Sequence, residues 1–218
     1  MSEHVHDHKA PDLSELYSQA TWDARYAESE RVWSGNPNPH LVEHVADLLP
    51  GDALDVGCGE GADAVWLATK GWRVTALDVS QVALERTAGH ARDAGVGDRV
   101  TPLHLDLIGG EPVPGEYALV SSQFMHPPPE LVDELFGRLG AVVRQGGALL
   151  VVGHHPQDLA TGVREPHGPD LLFTPERVVA ALDPDEWEIR VADAPTREWA
   201  REDGVVTVTD SVVLAVRR

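Results

Sequence analysis

The sequence predicts an α/β fold in which a mostly parallel sheet carries helices on both faces. Three observations predict it. A short apolar run ends at Val56, three glycines follow at alternate positions, and a helical pattern then begins at Ala62. Two further apolar runs each end in an acid, the first at Asp78 and the second at Asp106. Strands that alternate with helical patterns are typical of parallel sheets.

The composition is that of one globular domain. The chain has 218 residues, enough for one α/β domain, and its hydrophobic content of 42% supports a core. No apolar run approaches the length of a membrane span, and the N-terminus lacks a basic-then-apolar signal region. The single cysteine, Cys58, rules out an internal disulfide. We therefore expect a cytoplasmic protein.

The charge balance restricts the class of partner. There are 17 basic and 36 acidic residues, which give a net charge of −19. A field of this sign repels phosphate backbones and anionic lipid surfaces. We therefore expect a small-molecule partner, and neither a nucleic acid nor a membrane, although solubility alone also explains the acidity.

The N-terminal part is predicted to be a tail followed by a cover. Residues 1–10 form a flexible tail whose three histidines could capture a transition metal only weakly. Residues 11–218 form a single domain. From Pro11 to Arg31, apolar residues recur at spacings of three or four, which predicts a helix. A turn-rich segment that contains Trp33 and an amphipathic helix over 40–49 follow.

The middle of the chain supplies the predicted sheet. Ser80 is a good N-cap for the helix after the second strand. The fourth strand ends near Gln123, and Pro127-Pro128-Pro129 opens a helix that we expect Gly146-Gly147 to terminate. The continuous apolar run 148–152 then predicts a central parallel strand.

The C-terminal part is predicted to end in a hairpin. Thr174 and Pro175 begin a short helix, as N-cap and first helical residue. Apolar and polar residues alternate over 187–192, which predicts a strand, and the last strand covers 205–216. A loop of about a dozen residues is expected to join them.

The glycine-rich turn carries the chemistry. An acid and three glycines stand at alternate positions, in the pattern Asp55-x-Gly57-x-Gly59-x-Gly61. Glycines allow a positive φ and let a ligand approach the backbone, and the helix that follows presents unpaired N–H groups. Dinucleotide enzymes use a different spacing, G-x-G-x-x-G. Asp78, about 20 residues further on, is placed to accept hydrogen bonds from ribose hydroxyl groups, whether the cofactor is a dinucleotide or another nucleoside.

These motifs, in this order, resemble those of the class I S-adenosylmethionine-dependent methyltransferases. The pattern W-D-x-R-Y followed by W-x-G-x-P-N, which begins at Trp22, resembles the N-terminal cover of small-molecule members related to thiopurine and tellurite-resistance methyltransferases. The resemblance covers nearly all of the chain from Trp22 on. It implies a Rossmann-like sheet of seven strands with an antiparallel last strand, and a cover over the active site at residues 11–40.

The resemblance also implies a cofactor site for S-adenosyl-L-methionine. The glycine loop holds the methionine part, Asp78 takes the ribose, and Asp106 and Leu107 take the adenine. Trp33 is either a lid over the sulfonium or a residue that only pins the N-terminal helix to the sheet. The full set of cofactor-binding candidates is Trp33, Asp55, Gly57, Cys58, Gly59, Gly61, Asp78, Val79, Asp106, Leu107 and Gln123.

Histidines at the carboxyl ends of the strands are the candidate catalytic residues. A thiol acceptor needs little help from a base, whereas a hydroxyl or amine acceptor needs one near pH 7. His126, His154 and His155 are the candidates, because histidine titrates in that range. Each could equally be a loop histidine bonded to the backbone. Cys58 is a poor candidate nucleophile, since no base is paired with it.

We predict no metal site. Five residues at and after the end of the 148–152 strand have side chains that could bind a metal ion, but their spacing matches no compact ligand motif. They are His154, His155, Asp158, His167 and Asp170.

The interpretation that follows is an S-adenosylmethionine-dependent methyltransferase for a small molecule. The acceptor, its reacting atom and the oligomeric state are left open. A noncatalytic S-adenosylmethionine-binding regulator and, with less support, a nicotinamide-dependent oxidoreductase are the alternatives. The spacing of the glycines and the presence of Asp106 disfavour the oxidoreductase.

Overall fold

The computed structural model describes residues 13–163, 171–201 and 204–218, and side chains from residue 15 on. Its eight strands are β1 Asp52–Val56, β2 Arg73–Asp78, β3 Val100–His104, β4 Tyr117–Gln123, β5 Val143–His154, β6 Trp187–Asp193, β7 Thr196–Arg201 and β8 Gly204–Arg217. Its described helices are α1 Leu13–Leu16, α2 Gln19–Ala27, α3 Pro39–Val45, α4 Ala62–Thr69, α5 Gln81–Asp93, α6 Val132–Ala141 and α7 Pro175–Val179.

The sheet is mostly parallel, as the sequence predicts. Its order is β3-β2-β1-β4-β5-β8-β6, and β7 pairs with β8 outside this path. Strands β1 to β5 run parallel, whereas β8 is antiparallel to β5, β6 and β7. The chain order reverses between β1 and β4, and ligands of open α/β sheets bind at the carboxyl ends of strands beside such a reversal.

The central strands are buried on both faces, which explains their continuous apolar sequences. Leu54, Val120 and Leu149 face one core cluster, which includes Phe136 of α6. Neighbouring residues of the same strands, such as Leu119 and Leu150, face a second cluster on the other side of the sheet, which α3 and α4 also line. The predicted α/β fold, with a mostly parallel sheet between helices and an antiparallel last strand, is therefore confirmed.

Three predicted elements differ from the structure. The N-terminal helix is divided into α1 and α2, and Ser18 caps α2 by accepting a hydrogen bond from the Thr21 N–H. The helix after the proline run ends at Ala141, before Gly146-Gly147. Those glycines lie within β5, where Gly146 has a φ of 73° and the pairing of β4 with β5 shifts its register. The register of β5 against its partner β4 therefore decided the position of the two glycines.

The third difference is β7, whose six residues occupy about half of the predicted dozen-residue loop. It pairs with β8 from Thr196↔Thr209 to Arg201↔Gly204. Its side chains are nearly all exposed, so it lacks the apolar run or clean alternation that would have predicted a strand.

The predicted tail and its three histidines lie outside the described residues, and so do His167 and Asp170. Among the helices that the structure describes, none combines the length and the apolar character that crossing a membrane requires.

Candidate active site

The glycine loop after β1 has the backbone that only glycine adopts readily. Gly57, Gly59 and Gly61 have φ values of 67°, 54° and 80°. The Gly59 N–H points to β2 and donates to Asp78 Oδ2 at 2.9 Å. A Cβ at Gly61 would lie 2.6 Å from Thr87 Cγ2, so a side chain there would separate the loop from α5. The turn is therefore held in place between the end of β2 and α5.

Asp78 connects the loops that follow β1 and β2. Besides Gly59, it accepts a hydrogen bond from the Ser80 N–H on Oδ1, at 2.9 Å. The residue is 7% exposed, and burial raises the pKa of its carboxyl group despite these backbone bonds. Val79, which follows, is half-buried.

Two further acids, Asp55 near the end of β1 and Asp63 in the first turn of α4, have no basic partner in the ranges that the structure describes. Burial raises the pKa of Asp55 well above its ordinary range, and it raises the pKa of Asp63 to about 6. Asp63 Oδ1 accepts from the Asn38 N–H at 2.6 Å, while Asp55 Oδ2 is buried with no hydrogen-bond partner. Within the described part of the chain, no ion pair neutralises either residue or Asp78. This side of the site therefore holds three carboxyl groups without a basic partner among the described residues, and a bound cation would favour their charged forms.

Cys58 is an inert thiol in this setting. Its Sγ lies 3.8 Å from Thr87 Oγ1, and burial, together with Asp78 and Asp55, raises the pKa of the thiol well above its ordinary value. A thiolate nucleophile is therefore disfavoured.

The predicted adenine residues lie beyond β3, which ends at His104. Asp106 is exposed and its Oδ1 accepts from the Gly109 N–H at 2.7 Å, which makes a tight turn. Leu107 is 3% exposed and packs in the core, so only a small part of its side chain is available to a ligand.

The N-terminal cover rests directly on the glycine loop. A Cβ at Gly59 would lie 2.9 Å from Tyr26 Oη and 3.2 Å from Trp33 Nε1. Trp33 Nε1 donates to Tyr26 Oη at 3.0 Å. Tyr26 is buried, whereas Trp33 is 44% exposed. The two aromatic residues therefore differ: Tyr26 anchors the cover, and Trp33 lies at its outer edge.

Glu60 and Arg86 hold the cover in place, and the sequence analysis missed both. Glu60 accepts from the Val32 and Trp33 N–H groups and from Arg86 Nη1, the last at 2.7 Å. Burial acts to raise the pKa of Glu60, but these donors outweigh it and lower the pKa. Arg86 also donates to the carbonyl groups of Tyr26 and Ser29. Glu60 lies between Gly59 and Gly61 of the glycine motif, and this position is the feature of the sequence that could have indicated its role.

Asp23, in the W-D-x-R-Y pattern, ties the cover to the second βα unit. Its Oδ1 accepts from Ser80 Oγ at 2.6 Å and from the Val82 N–H at 3.2 Å. It therefore caps the beginning of α5 from a distance of more than 50 residues along the chain.

The segment after β4 is strained and faces the glycine loop. Phe124 has a φ of 56°, which is unusual for a residue with a large side chain. Its neighbour Gln123 donates to Ser121 Oγ at 2.8 Å, while its buried Oε1 has no hydrogen-bond partner. A Cβ at Gly57 would lie 3.7 Å from Met125 Cβ. The cofactor loop and the end of β4 therefore share one rim.

Two of the predicted catalytic histidines stack on this rim. The ring centroids of His126 and His154 are 4.7 Å apart, and Phe124 lies 4.4 Å from the His154 ring. The His154 N–H donates to His126 Nε2 at 2.9 Å. Tyr17, between α1 and α2, donates to the His126 carbonyl group at 2.5 Å. The cover therefore also contacts this end of the site.

The third histidine has a different environment. His155 Nδ1 accepts from the Gln157 N–H at 3.1 Å and caps a short 3₁₀ helix over Pro156–Thr161. Asp158 is turned toward β8, where its Oδ1 accepts from the Thr209 N–H at 2.6 Å. His167 and Asp170 lie outside the described residues.

Asp210 of β8 is the residue that the sequence analysis missed on this side. It is 1% exposed and pairs with Arg197 Nε at 2.6 Å, His40 Nε2 at 3.2 Å and His154 Nδ1 at 3.8 Å. Burial acts to raise its pKa, but these three partners outweigh burial and hold the pKa well below the ordinary range. The antiparallel pairing of β5 with β8 places His154 opposite Asp210, and no local sequence pattern indicates this.

Comparisons with known proteins agree with the fold and the glycine loop. Residues 53–147 match a family described as a methyltransferase domain. Methyltransferase GfsG of Streptomyces halstedii is 36% identical over 182 residues, which cover 71% of this chain and 63% of that protein. The matches to other curated relatives span 23% to 66% of the length of those proteins.

Solved structures extend the likeness to almost the whole chain. TehB of Haemophilus influenzae has a TM-score of 0.70 at 17% identity, over 92% of this chain and 67% of that one. The magnesium protoporphyrin IX methyltransferase of Synechocystis, with bound S-adenosylhomocysteine, has a TM-score of 0.62 at 19% identity, over 96% of this chain and 89% of that one. At these identities the likeness is one of fold.

Proposed function

We propose that this chain, which belongs to the class I S-adenosylmethionine-dependent methyltransferases, methylates a small molecule whose nucleophile loses a proton as it reacts. Its cofactor is S-adenosylmethionine, which when bound supplies an electrophilic methyl group on a sulfonium. The observation that carries the proposal is the shared rim. Met125 lies against Gly57 of the cofactor loop, and the His126–His154 pair follows directly.

The charges around the glycine loop fit this cofactor. S-adenosylmethionine carries positive charge on its sulfonium and its ammonium group. Asp55, Asp63 and Asp78 offer negative charge that no basic side chain of the described residues neutralises. Asp55 also has a buried oxygen without a partner. A cation is the ligand that such a site would bind most favourably.

Asp78 retains the capacity to bind ribose. Each of its carboxylate oxygens accepts one backbone N–H in the structure, and a carboxylate has about four acceptor positions. Two ribose hydroxyl groups can therefore still donate to it. We assign the remaining cofactor contacts to the residues that the sequence predicts, which are Trp33, Asp55, Gly57, Cys58, Gly59, Gly61, Val79, Asp106, Leu107 and Gln123.

His154 is the best candidate for the general base. Asp210 faces His154 Nδ1, and a carboxylate there favours the tautomer that carries its proton on Nδ1. The lone pair of Nε2 can then accept a proton from the acceptor. The neighbouring rings of Phe124 and His126 restrict access of water to this imidazole.

The other two candidates are less suitable as bases. His126 Nε2 already accepts a hydrogen bond from the backbone N–H of His154, so the neutral His126 ring carries its proton on Nδ1. His155 Nδ1 is used as a helix cap. We therefore assign His126 to positioning His154, and we assign His155 to holding the loop that follows β5.

A hydroxyl or similar protic group is the acceptor class that needs this arrangement. A thiol would react with little assistance, whereas a phenol or an N-hydroxy group gains from a base. The net charge of −19 disfavours nucleic acid as the acceptor.

Calorimetry tests the cofactor assignment, and a substrate panel tests the activity. We expect S-adenosylhomocysteine to bind and NAD not to bind; tight NAD binding without S-adenosylhomocysteine binding would refute the cofactor assignment. In methyl-transfer assays over phenols, N-hydroxy compounds, amines and thiols, we expect turnover with a protic oxygen acceptor. Binding without turnover across the panel would favour the noncatalytic regulator.

A matched pair of variants tests the base. With an oxygen acceptor, His154→Gln should lower kcat by about 10²–10⁴-fold, and the acidic limb of the pH profile should disappear. His155→Gln, one residue away on the same loop, should have a much smaller effect. Equal losses in the two variants, with unchanged pH profiles, would contradict the assignment.

A further inference from the structure

A cluster of potential metal ligands lies on α3, away from the glycine loop. His40 and His44 are four residues apart and therefore lie on one face of the helix. Their ring centroids are 6.5 Å apart and their planes differ by 11°. Glu43 adds a carboxylate, and one potential ligand atom from each of the three residues lies within 4.8 Å of the other two.

The helix that carries these side chains is firmly placed. Leu41 and Val45, which each follow one of these histidines and lie on another face of the helix, are 0% and 1% exposed and anchor α3 to the core. Asn38 caps the helix, and its Oδ1 accepts from the His40 N–H at 2.9 Å. The ligand atoms are therefore presented from a fixed backbone, which reduces the ordering cost of binding an ion.

The buried residue Asp210 gives an independent indication of a metal site. Its Oδ2 lies 3.2 Å from His40 Nε2 and so fixes the orientation of that ring. Metal-binding histidines commonly have a carboxylate as an outer partner, which orients the ring and raises its basicity. Asp210 reaches His40 from a strand 170 residues further along the chain.

We propose that His40, Glu43 and His44 bind one divalent transition-metal ion, with Asp210 as the outer carboxylate of His40. Two imidazoles and a carboxylate are a ligand set for Zn²⁺, Ni²⁺ or Cu²⁺ and a poor one for Mg²⁺ or Ca²⁺. The site joins α3, directly after the cover, to β8 through Asp210. None of its three ligands belongs to the histidine set weighed in the sequence analysis, but Asp210 also faces His154 of that set. The proposed methyl transfer needs no metal at this site.

Calorimetry with Ni²⁺ and Zn²⁺ tests the site in the full-length chain. The histidines at positions 4, 6 and 8 are competing ligands, so the background for the experiment is the triple variant His4→Gln, His6→Gln, His8→Gln. In that background we expect one equivalent of metal to bind, and His44→Asn to weaken its affinity at least tenfold. His104→Gln, which removes an exposed histidine of β3, is the matched control and should leave the affinity unchanged.

Long-range ¹H–¹⁵N NMR of the imidazole rings locates the ion directly and does not depend on a variant that folds. Zn²⁺ should shift the ring nitrogens of His40 and His44 but not those of His104. Loss of all binding in the tail variant, or equal weakening by His44→Asn and His104→Gln, would overturn the proposal. So would ring shifts that leave His40 and His44 unaffected.

Discussion

Asp55 and Asp210 are equally buried, at 2% and 1% exposure, but their surroundings shift the pKa values of their carboxyl groups in opposite directions. Around Asp55 stand two other acids, Asp63 and Asp78, and the pKa values of all three are raised. Around Asp210 stand Arg197, His40 and His154, and its pKa is lowered. Asp55 lies near the carboxyl end of β1, and Asp210, in the middle of β8, lies opposite His154 at the carboxyl end of β5.

The difference shows that the glycine loop, unlike the surroundings of Asp210, lacks a counter-charge. Asp210 is neutralised by the protein itself and can serve as a fixed anion that orients histidines. The acids of the glycine loop have no such partners among the described residues, so a cationic ligand would supply the missing charge. One region is complete in the free protein, and the other becomes electrostatically balanced when a cation binds.

The largest expected effect comes from breaking the Asp210 cluster. Asp210→Asn removes the negative charge that three basic groups share in a buried position, and we expect the free energy of unfolding to fall by about 3–5 kcal/mol. Urea unfolding at pH 7 measures it. Glu188→Gln breaks the exposed ion pair with Arg190 and should cost less than about 1 kcal/mol. Equal costs would mean that Asp210 is no more than a surface acid.

The next effect concerns the cofactor side. Asp78→Ala removes two charge-assisted hydrogen bonds to ribose and should weaken S-adenosylhomocysteine binding by roughly 2–4 kcal/mol, or about 30- to 1,000-fold. Calorimetry on the folded variant measures this loss. Asp98→Asn, an exposed acid outside the site, should bind normally. Unchanged affinity in Asp78→Ala would place the ribose elsewhere.

A smaller effect should appear in the pH dependence of stability. Burial raises the pKa of Asp63 from 3.8 to about 6, so folding favours its protonated form. The stability that this residue contributes is therefore present below about pH 4 and lost as the pH rises through about 6. Asp63→Asn should remove that loss and gain about 1–3 kcal/mol at pH 7 relative to the wild type.

Unfolding measured from pH 4 to 7.5 checks this prediction. The wild type should lose stability across the window from Asp63, whereas Asp63→Asn should show a flatter profile. An identical slope in the two proteins would mean that burial does not raise the pKa of Asp63.

The smallest expected effect distinguishes the two roles of Trp33. We expect residues 26–36 to exchange amide hydrogens faster without ligand than with it. If Trp33 covers the sulfonium, S-adenosylmethionine should protect this segment more than S-adenosylhomocysteine, whose sulfur is uncharged, by about 0.5–2 kcal/mol or roughly 2- to 30-fold. Core amides of β4 provide the control. Equal protection in all three states would make Trp33 structural.

The central fold could be predicted because its information is local. The apolar run that ends at Val56, the alternating glycines and the acid at Asp78 each fit within about ten residues. The structure places each of them at the carboxyl end of a strand. Ser80 likewise capped α5 as its sequence position predicted. Hydrophobic period and turn chemistry act over such short spans, so they can be read without knowing the partners.

Only the tertiary structure decided the relations between distant segments. The Glu60–Arg86 clamp on the cover, the strand β7, and the pairing of Asp210 with His154 and His40 join residues that are far apart in sequence. The pairing of β7 with β8 and the position of Asp210 opposite His154 depend on strand register, which is fixed by the packing of whole strands. The contacts of Glu60 with Arg86 and of Asp210 with His40 depend on how helices pack against the sheet. Asp210 stands in the sequence as one acid among 36, and burial beside three basic groups is what sets it apart.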